Sequence, residues 1–485
     1  MAIDVKTPNS PGWWLDKLSK KLAARLPELN RLQAYVEGDP PPPEGVENMR
    51  SAYEAIRKIA RVNLAESAVT AVSDRIAVRA VRTAVATDSD GDDLAMSIWR
   101  DNNLDIELSD VIENMLGLRD GYMIVGLDPD DDDRVVITGE DPRQVVTIHN
   151  PLRQSEVRAA LKMFHDPDEQ RDYAYLYIAG EAAERDTFGR VTAWANARRY
   201  VATKARRSLS GKLAFSSATW EWDAKLDGAE GAELNHRFVP VVRFRNRNGI
   251  SEFERHTDTL DRINHGILQR MVISLYQAYR LRAISVDDED APEVDPETNQ
   301  EIDYEDLLTS DPGAFLKLPL GAKLWESAQA DMSGILSSVK DDVLYFMEET
   351  KTPLPAISDA VQQSAEGAAN IKEGNQFKTE RTQKRVAASL AVVYMIAFMC
   401  LEESDRSKRG SIRIDYHPTN RPSLSEKYDA FSKSTDLPLE TRMAEILQFD
   451  PERIAMAKAQ KLQESLMGEP DGPSNAPSTG STSSS

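Results

Sequence analysis

The stretch Val239-Pro-Val-Val-Arg-Phe-Arg-Asn-Arg247, followed closely by Ser251-Glu252, decides how this chain is expected to fold. Its β-branched and aromatic residues predict a strand over residues 237–245. Ser251 and Glu254 then have the S-x-x-E spacing of a capping box, which marks the start of a helix. Apolar residues after the box recur at three- and four-residue steps and predict one helix over residues 251–285, which would span about 50 Å at ~1.5 Å per residue. This stripe consists of Leu260, Ile263, Ile267, Met271, Leu275 and Ala278.

Two further helices are predicted downstream, after an acidic insertion. Residues 286–330 contain Pro292 and Pro296 among many carboxylates, which indicates a loop or a small subdomain. Residues 331–350 carry a new apolar stripe and predict a second helix. A connection with two prolines follows, and residues 365–401 predict a third helix whose first half is polar and whose second half is apolar.

The parts of the chain on either side of these helices differ in their periodicity. Residues 13–118 are mostly helical in pattern, whereas residues 122–245 hold short runs of β-branched and aromatic residues separated by turn residues. Residues 411–416 alternate like a strand, and residues 423–467 predict helices. The tail, residues 468–485, is rich in Pro, Gly and Ser and is expected to be disordered. Helical blocks and a separate β-rich block indicate the α+β class.

Composition excludes several kinds of protein. The chain has 485 residues and a formal net charge of −21, which disfavours a tight nucleic-acid binder of the ordinary kind. A protein that touches DNA without gripping it is compatible with this charge, and so is a protein that never meets DNA. The single cysteine, Cys400, excludes intrachain disulfides and cysteine-cluster metal sites and fits a reducing cytoplasm. No run of eighteen apolar residues occurs, so we expect no membrane span.

The sequence carries no enzyme motif that we can identify. It lacks the phosphate-binding loop G-x-x-x-x-G-K-[ST] and the motifs G-x-S-x-G and H-E-x-x-H. The acidic run at residues 128–133 lacks the Gly and Glu positions of a calcium-binding loop and is interpreted as a solvated hairpin turn. We therefore expect no catalytic residues, no metal and no cofactor, with a hydrolase using dispersed carboxylates as one alternative.

The third predicted helix has a basic face formed by Lys378, Arg381 and Arg385. The simpler interpretation is a solvated face balanced by Glu373 and Glu380. The other interpretation is contact with DNA phosphates or with the acidic residues of a neighbouring subunit.

The order of these motifs resembles that of the portal proteins of tailed bacteriophages. In that family a segment like residues 239–252 leads into a long helix, and segments like Asp311-Pro-Gly-Ala-Phe315 and Leu318-Pro-Leu-Gly-Ala-Lys323 return to a second one. The likeness covers roughly residues 13–465, although residues 180–217 match nothing in it. The upstream landmarks are Ala34-Tyr35-Val-Glu-Gly38, Ile98-Trp99-Arg-Asp-Asn-Asn-Leu104, Gly121-Tyr-Met-Ile-Val-Gly126 and Asp141-Pro142-Arg143.

The resemblance implies a portal fold assembled as a ring of twelve copies at one vertex of the virion. It assigns residues 13–248 to a wing, 251–285 and 331–351 to two stem helices, and 286–330 to a clip. It also assigns 352–366 to a tunnel loop, 367–422 to a long wing helix with a return strand, and 423–467 to a crown. The implied function is to conduct double-stranded DNA during packaging and ejection. The implied partners are the terminase large subunit, a head-completion adaptor, and the major capsid and scaffold proteins, with no membrane.

The resemblance also points to candidate site residues. The tunnel loop would place neutral polar groups beside the DNA, which leaves the duplex free to slide because no cation binds its phosphates. An ordinary helix connection is the competing interpretation, and another head or minor capsid protein is the alternative function. The candidate loop residues are Thr352, Pro353, Pro355, Ser358, Gln362, Gln363 and Ser364, and the candidate clip residues for motor and adaptor docking are Asp287, Asp288, Glu289 and Asp290.

Overall fold

A computed structural model gives the fold, and it has the α+β composition that the sequence predicts. It describes residues 3–42, 51–85, 91–205, 214–227, 229–278, 282–285, 294, 323–326, 331–353, 365–419, 424–447, 449 and 451–467. The first helices are α1 (Pro11–Val36), α2 (Ser51–Ile59), α3 (Leu64–Ser73), α4 (Asp93–Asp101) and α5 (Leu104–Gly117), with strand β1 (Val78–Arg82) between α3 and α4.

The β-rich block forms two main antiparallel sheets. The first has the order β10-β9-β6-β5-β4, with β11 beside β9, and α1 packs on it through Trp14, Leu15 and Leu18. The second has the order β12-β2-β3, and its middle strand pairs along most of its length with β3. The bounds are β2 (Asp120–Asp128), β3 (Asp131–Glu140), β4 (Val145–His149), β5 (Val157–Asp166), β6 (Arg171–Ile178), β7 (Ala182–Arg185), β8 (Val191–Trp194), β9 (Arg198–Ala205), β10 (Glu221–Trp222), β11 (Ala232–Glu233) and β12 (Val241–Arg245).

Residues 180–217, which the motif pattern did not place, supply part of the larger sheet. β7 and β8 form a separate hairpin, and β9 pairs with β6 from Arg171 opposite Ala205 to Ile178 opposite Arg198. Alternate residues of β9, Tyr200 and Ala202, are buried against the core that includes Trp222. Residues 198–205 of this stretch are therefore an integral strand of the larger sheet.

The predicted helix over residues 251–285 is shorter than expected at both ends. A single 3-10 turn at Glu254–His256 precedes α6 (Thr257–Ala278), and Arg282–Ser285 is a strand, β13, instead of the last helical turns. β13 pairs antiparallel with β14 (Lys323–Glu326), so its backbone hydrogen bonds go to another strand. The apolar stripe predicted the helix interior correctly, but it could not reveal this pairing, which depends on residues some forty positions away.

Helix α7 (Ser333–Thr350) confirms the second predicted helix and packs against α6. Arg262 of α6 donates two hydrogen bonds to the Asp342 carboxylate of α7, at 2.7 and 2.9 Å. Gly266 allows the close approach of the two helices, because a Cβ atom there would lie 2.6 Å from Cγ2 of Val339. We refer to α6 and α7 as the helix pair.

Helix α8 (Ala365–Cys400) confirms the third predicted helix, with its polar and apolar halves. Its apolar half lies in the largest core, against β2 and β12 and the base of the helix pair. Strand β15 (Arg413–Tyr416) confirms the predicted strand and pairs with β1, which joins the two ends of the fold. The C-terminal helical region is divided into α9 (Leu424–Lys433), α10 (Leu439–Glu445) and α11 (Pro451–Met467).

Candidate functional site at the end of the helix pair

The last turn of α7 reverses the chain through a Schellman motif. The Thr352 amide donates to the Met347 carbonyl at 2.9 Å, and the Lys351 amide donates to the Glu348 carbonyl at 3.2 Å. Lys351 takes the left-handed conformation, with φ of 57°, a position that glycine usually fills. The hydroxyls of Thr350 and Thr352 lie 2.8 Å apart and fix the two sides of the turn.

Helix α8 completes this turn with polar side chains. The ammonium of Lys378 donates to the Thr350 carbonyl at 2.7 Å, and the Asn375 amide donates to the Lys351 carbonyl at 2.9 Å. Carbonyls at a helix C-terminus lack partners within the helix, so these two bonds satisfy groups that would otherwise be unpaired. Lys378 also forms an ion pair with Glu252 at 2.7 Å, which ties the entry of α6 to the exit of α7. We call these residues the loop anchor: Glu252, Thr350, Lys351, Thr352, Asn375 and Lys378.

The loop anchor is buried although it is polar. Asn375 has no exposed surface, and Lys378 exposes only 8% of its surface. The interpretation of Lys378 as part of a solvated face is therefore wrong for this residue, because its ammonium is covered and paired. Arg381 and Arg385 on the same helix are exposed, as that interpretation expected. The sequence does contain a signal for this burial. Asn375, Thr379 and Thr382 recur at steps of four and three residues, so they share one helical face, and all three are buried.

The predicted capping box at Ser251 and Glu254 is only half formed. The Ser251 amide donates to the Glu254 carboxylate at 2.9 Å, but the Ser251 hydroxyl is buried and has no hydrogen-bond partner among the described residues. Glu254 instead accepts two hydrogen bonds from the Arg119 guanidinium, at 2.6 and 2.9 Å. The box therefore fastens the base of the helix pair to residue 119 and does not cap α6, which begins three residues after Glu254.

The loop anchor stands at the start of the predicted tunnel loop. Of the candidate loop residues, Thr352 and Pro353 are described, and Thr352 is buried within the anchor. Pro355, Ser358, Gln362, Gln363 and Ser364 lie outside the described residues, as do the clip candidates Asp287, Asp288, Glu289 and Asp290.

No alternative chemistry emerges from the described part of the chain. Its His, Cys, Asp and Glu side chains form no group of three or more that could hold a metal ion. Residues Glu373–Cys400 are long and apolar enough to cross a membrane by composition. The large apolar side chains of this segment, among them Val386, Leu390, Tyr394 and Phe398, lie in the main core, so we interpret it as a core helix.

Comparison with known proteins identifies the family. The family model described as "Phage portal protein, SPP1 Gp6-like" matches residues 15–317, well over half of the chain. The chain belongs to this phage portal family. Its members are head-to-tail connectors, and this portal protein accordingly has a structural role in a phage-like particle. The match extends from α1 through α6 and ends before α7.

Solved structures and curated sequences add little to this assignment. A chain from the neck of a native GTA particle computed with C12 symmetry is 12% identical, with a TM-score of 0.39 over 80% of this chain and 88% of the other. A chain from the neck of an empty GTA particle computed with C6 symmetry is 13% identical, with a TM-score of 0.43 over 85% and 97%. No curated protein matches the portal protein significantly.

Proposed function

We propose that this portal protein forms a closed ring of about twelve copies at one vertex of the virion, and that residues 352–366 line its central DNA channel. Duplex DNA would pass through this ring during packaging and ejection. The terminase large subunit and a head-completion adaptor would dock on the insertion at residues 286–330, where Asp287, Asp288, Glu289 and Asp290 lie, and the wing would contact capsid and scaffold proteins.

The observation that carries this proposal is the loop anchor. A loop that borders a moving duplex needs fixed ends, since a loose loop would be dragged with the DNA. The residue before the loop, Lys351, is held by the Asn375 amide, and Thr350 is held by Lys378. The other end of the loop continues into α8, whose apolar half is packed in the main core.

The composition of the loop supports the same role. Residues 352–364 contain no Lys or Arg, and Asp359 is their one charged residue. Neutralisation of phosphates by Lys and Arg is the main source of affinity for DNA, so a loop without these residues leaves the duplex free to slide. The anchoring lysine does not offset this, because Lys378 is buried and neutralised by Glu252.

The first experiment is native mass spectrometry of the purified protein with class averages from electron microscopy. A closed ring with a central hole supports the proposal, and a compact dimer with no hole contradicts it. The second experiment measures DNA packaging by particles carrying Ser358→Lys or Gln362→Lys. We expect slowed or blocked packaging with intact rings, and unchanged packaging by both variants would remove the assignment of the channel loop.

A further inference from the structure

A cleft of about 860 Å³ lies between β12, the ends of β5 and β6, and α8. Seven arginines and two glutamates line it, a formal surplus of +5 in a chain whose net charge is −21. The two glutamates are Glu156 and Glu181, and Trp14 and Trp194 contribute to the walls. We call this feature the arginine cleft.

Most of these arginines have no anionic partner within the described part of the chain. Arg158, Arg245, Arg385 and Arg409 form no ion pair with any described carboxylate, whereas acidic residues outnumber basic ones in the chain as a whole. Arg243 comes no closer than 3.9 Å to the Asp120 carboxylate, whose other oxygen is bound by Arg25 at 2.6 Å. The cleft thus gathers several cations that no described carboxylate pairs.

His149 lies on the cleft wall with its imidazole partly buried. Burial first, and the charge of the neighbouring Arg243 second, lower its pKa to about 4, so the imidazole is neutral at pH 7. The Nδ1 atom donates to the Gln154 carbonyl at 2.8 Å, and the Thr147 hydroxyl donates to Nε2 at 3.0 Å. An anion in the cleft would meet arginines that are already charged and a histidine already oriented.

A strongly acidic segment lies in the hairpin that joins β2 and β3. The turn between β2 and β3 carries Asp128, Asp130, Asp131, Asp132 and Asp133, and all but the half-buried Asp128 are exposed. Arg134 forms an ion pair with Asp128 at 3.5 Å. We call residues 128–133 the acidic hairpin.

The arginines at one end of the cleft lie far from the acidic hairpin of their own chain. Arg245, on the cleft wall, pairs in register with Asp120, and Asp128 lies eight residues further along the same strand. At ~3.4 Å per residue this separation is about 27 Å. The cleft extends along β12 and the residues just before it, from Arg245 to Val239, and this distance separates the hairpin from the Arg245 end of the cleft. Two different surfaces on one copy can join successive copies of a ring through a heterologous contact.

We propose that the acidic hairpin of one copy occupies the arginine cleft of the next copy. This inference rests on the proposed ring. It assigns the cleft to protein rather than DNA, because the hairpin carries carboxylates opposite in charge to the cleft and the symmetry of the ring presents one hairpin to every cleft. The contact is heterologous, since each copy gives a hairpin on one side and a cleft on the other.

The test is a charge exchange between the two surfaces. The hairpin variant is Asp130→Lys with Asp132→Lys, the cleft variant is Arg385→Glu with Arg409→Glu, and the exchange variant combines all four changes. Native mass spectrometry at fixed concentration and moderate salt measures the fraction of protein in rings. We expect each double variant to lose at least tenfold in this fraction, and the exchange variant to recover most of it.

Controls separate this contact from general effects of charge and folding. Asp168→Lys with Asp436→Lys changes the net charge as much as the hairpin variant does, at exposed positions away from both surfaces, and should assemble normally. Circular dichroism reports whether each variant is folded, and recovery by the exchange variant excludes misfolding as the cause of loss.

Each remaining outcome has one meaning. Rings that form equally well with the hairpin variant overturn the inference while leaving the proposed function intact. A cleft variant that loses binding to a short DNA duplex, with no effect on rings, assigns the cleft to nucleic acid and also overturns it. Failure of the unmodified protein to form any ring contradicts the proposed function itself.

Discussion

Lys378 and Arg385 lie seven residues apart on one face of α8, but they differ in burial and in ion pairing. Lys378 is buried in the loop anchor, where its ammonium reaches the Glu252 carboxylate and the Thr350 carbonyl, each at 2.7 Å. Arg385 is exposed on the wall of the arginine cleft and has no described carboxylate as a partner. A buried, ion-paired cation stabilises contacts within one chain, whereas a group of unpaired cations can bind another molecule. The loop anchor should therefore govern stability, and the arginine cleft should govern assembly.

The largest effect is expected from Lys378→Met. This change leaves the Glu252 carboxylate without its cation and the Thr350 carbonyl without its donor, in a site with little access to water. We expect a loss of about 3 kcal/mol in the free energy of unfolding, at the lower end for a broken buried pair because Glu252 is partly exposed. Chemical denaturation at one protein concentration measures it. Adding Glu252→Gln should recover part of the loss. If Lys378→Met leaves the free energy of unfolding unchanged, the anchor is not a stabilising feature.

A second, smaller effect is the pH dependence of stability that His149, on the wall of the arginine cleft, should cause. The pKa of His149 is about 4 in the folded protein against an ordinary value of 6.5, so the unfolded chain binds the proton more readily. The stability from neutral His149 is thus fully present above about pH 6.5 and is lost as the pH falls toward 4. We expect a loss of about 1–2 kcal/mol after allowance for partial exposure.

The matched variant for this effect is His149→Asn, whose amide can still donate to the Gln154 carbonyl. Denaturation curves of both proteins between pH 7 and pH 4 should converge at low pH. Curves that stay parallel over this range would contradict the neutral state of His149.

Ser251→Ala should have a small effect, about 0.5 kcal/mol or less. A serine that caps a helix contributes about 1 kcal/mol, but the buried Ser251 hydroxyl has no partner in the part of the chain that the structure describes. Glu254→Gln is the informative companion, since it weakens the pairing with Arg119 and should cost clearly more. Equal losses of stability for the two variants, measured by thermal denaturation, would indicate that Ser251 and Glu254 form a complete capping box.

The smallest effect on stability is expected from Arg385→Gln. Its removal breaks no described ion pair and reduces repulsion within the cleft, so we expect a change within about 0.5 kcal/mol in the free energy of unfolding. Assembly should nevertheless weaken, as measured by the protein concentration needed for half the chains to enter rings. A destabilisation comparable to that of Lys378→Met would remove the distinction between the two regions.

The sequence predicted those parts of the molecule that follow from local periodicity. The stripe in α6, the change of character along α8 and the strand at Arg413–Tyr416 all emerged from spacing alone. The end of α6 was wrong because β13 pairs with β14. The strand predicted at residues 199–203 is confirmed as β9, but its pairing with β6 was not predicted. Local pattern cannot supply such long-range pairings.

The candidate site was less predictable, for a related reason. In the sequence Lys378 resembles an ordinary surface lysine. Its burial and pairing depend on Glu252 and Thr350, which belong to other parts of the chain. Lys351 occupies a left-handed position without the glycine that would have marked the Schellman turn. The arginines of the cleft are spread from Arg158 to Arg409 and meet only in the folded chain.

The most direct test of the whole account is a cryo-electron microscopy map of the assembled protein. We predict a closed ring in which the loop between Thr350 and Ala365 forms the narrowest part of the central opening, with the loop anchor directly behind it. The acidic hairpin of each copy should lie in the arginine cleft of the next. A ring whose opening is lined by other residues, with this loop on its outer surface, would contradict the account.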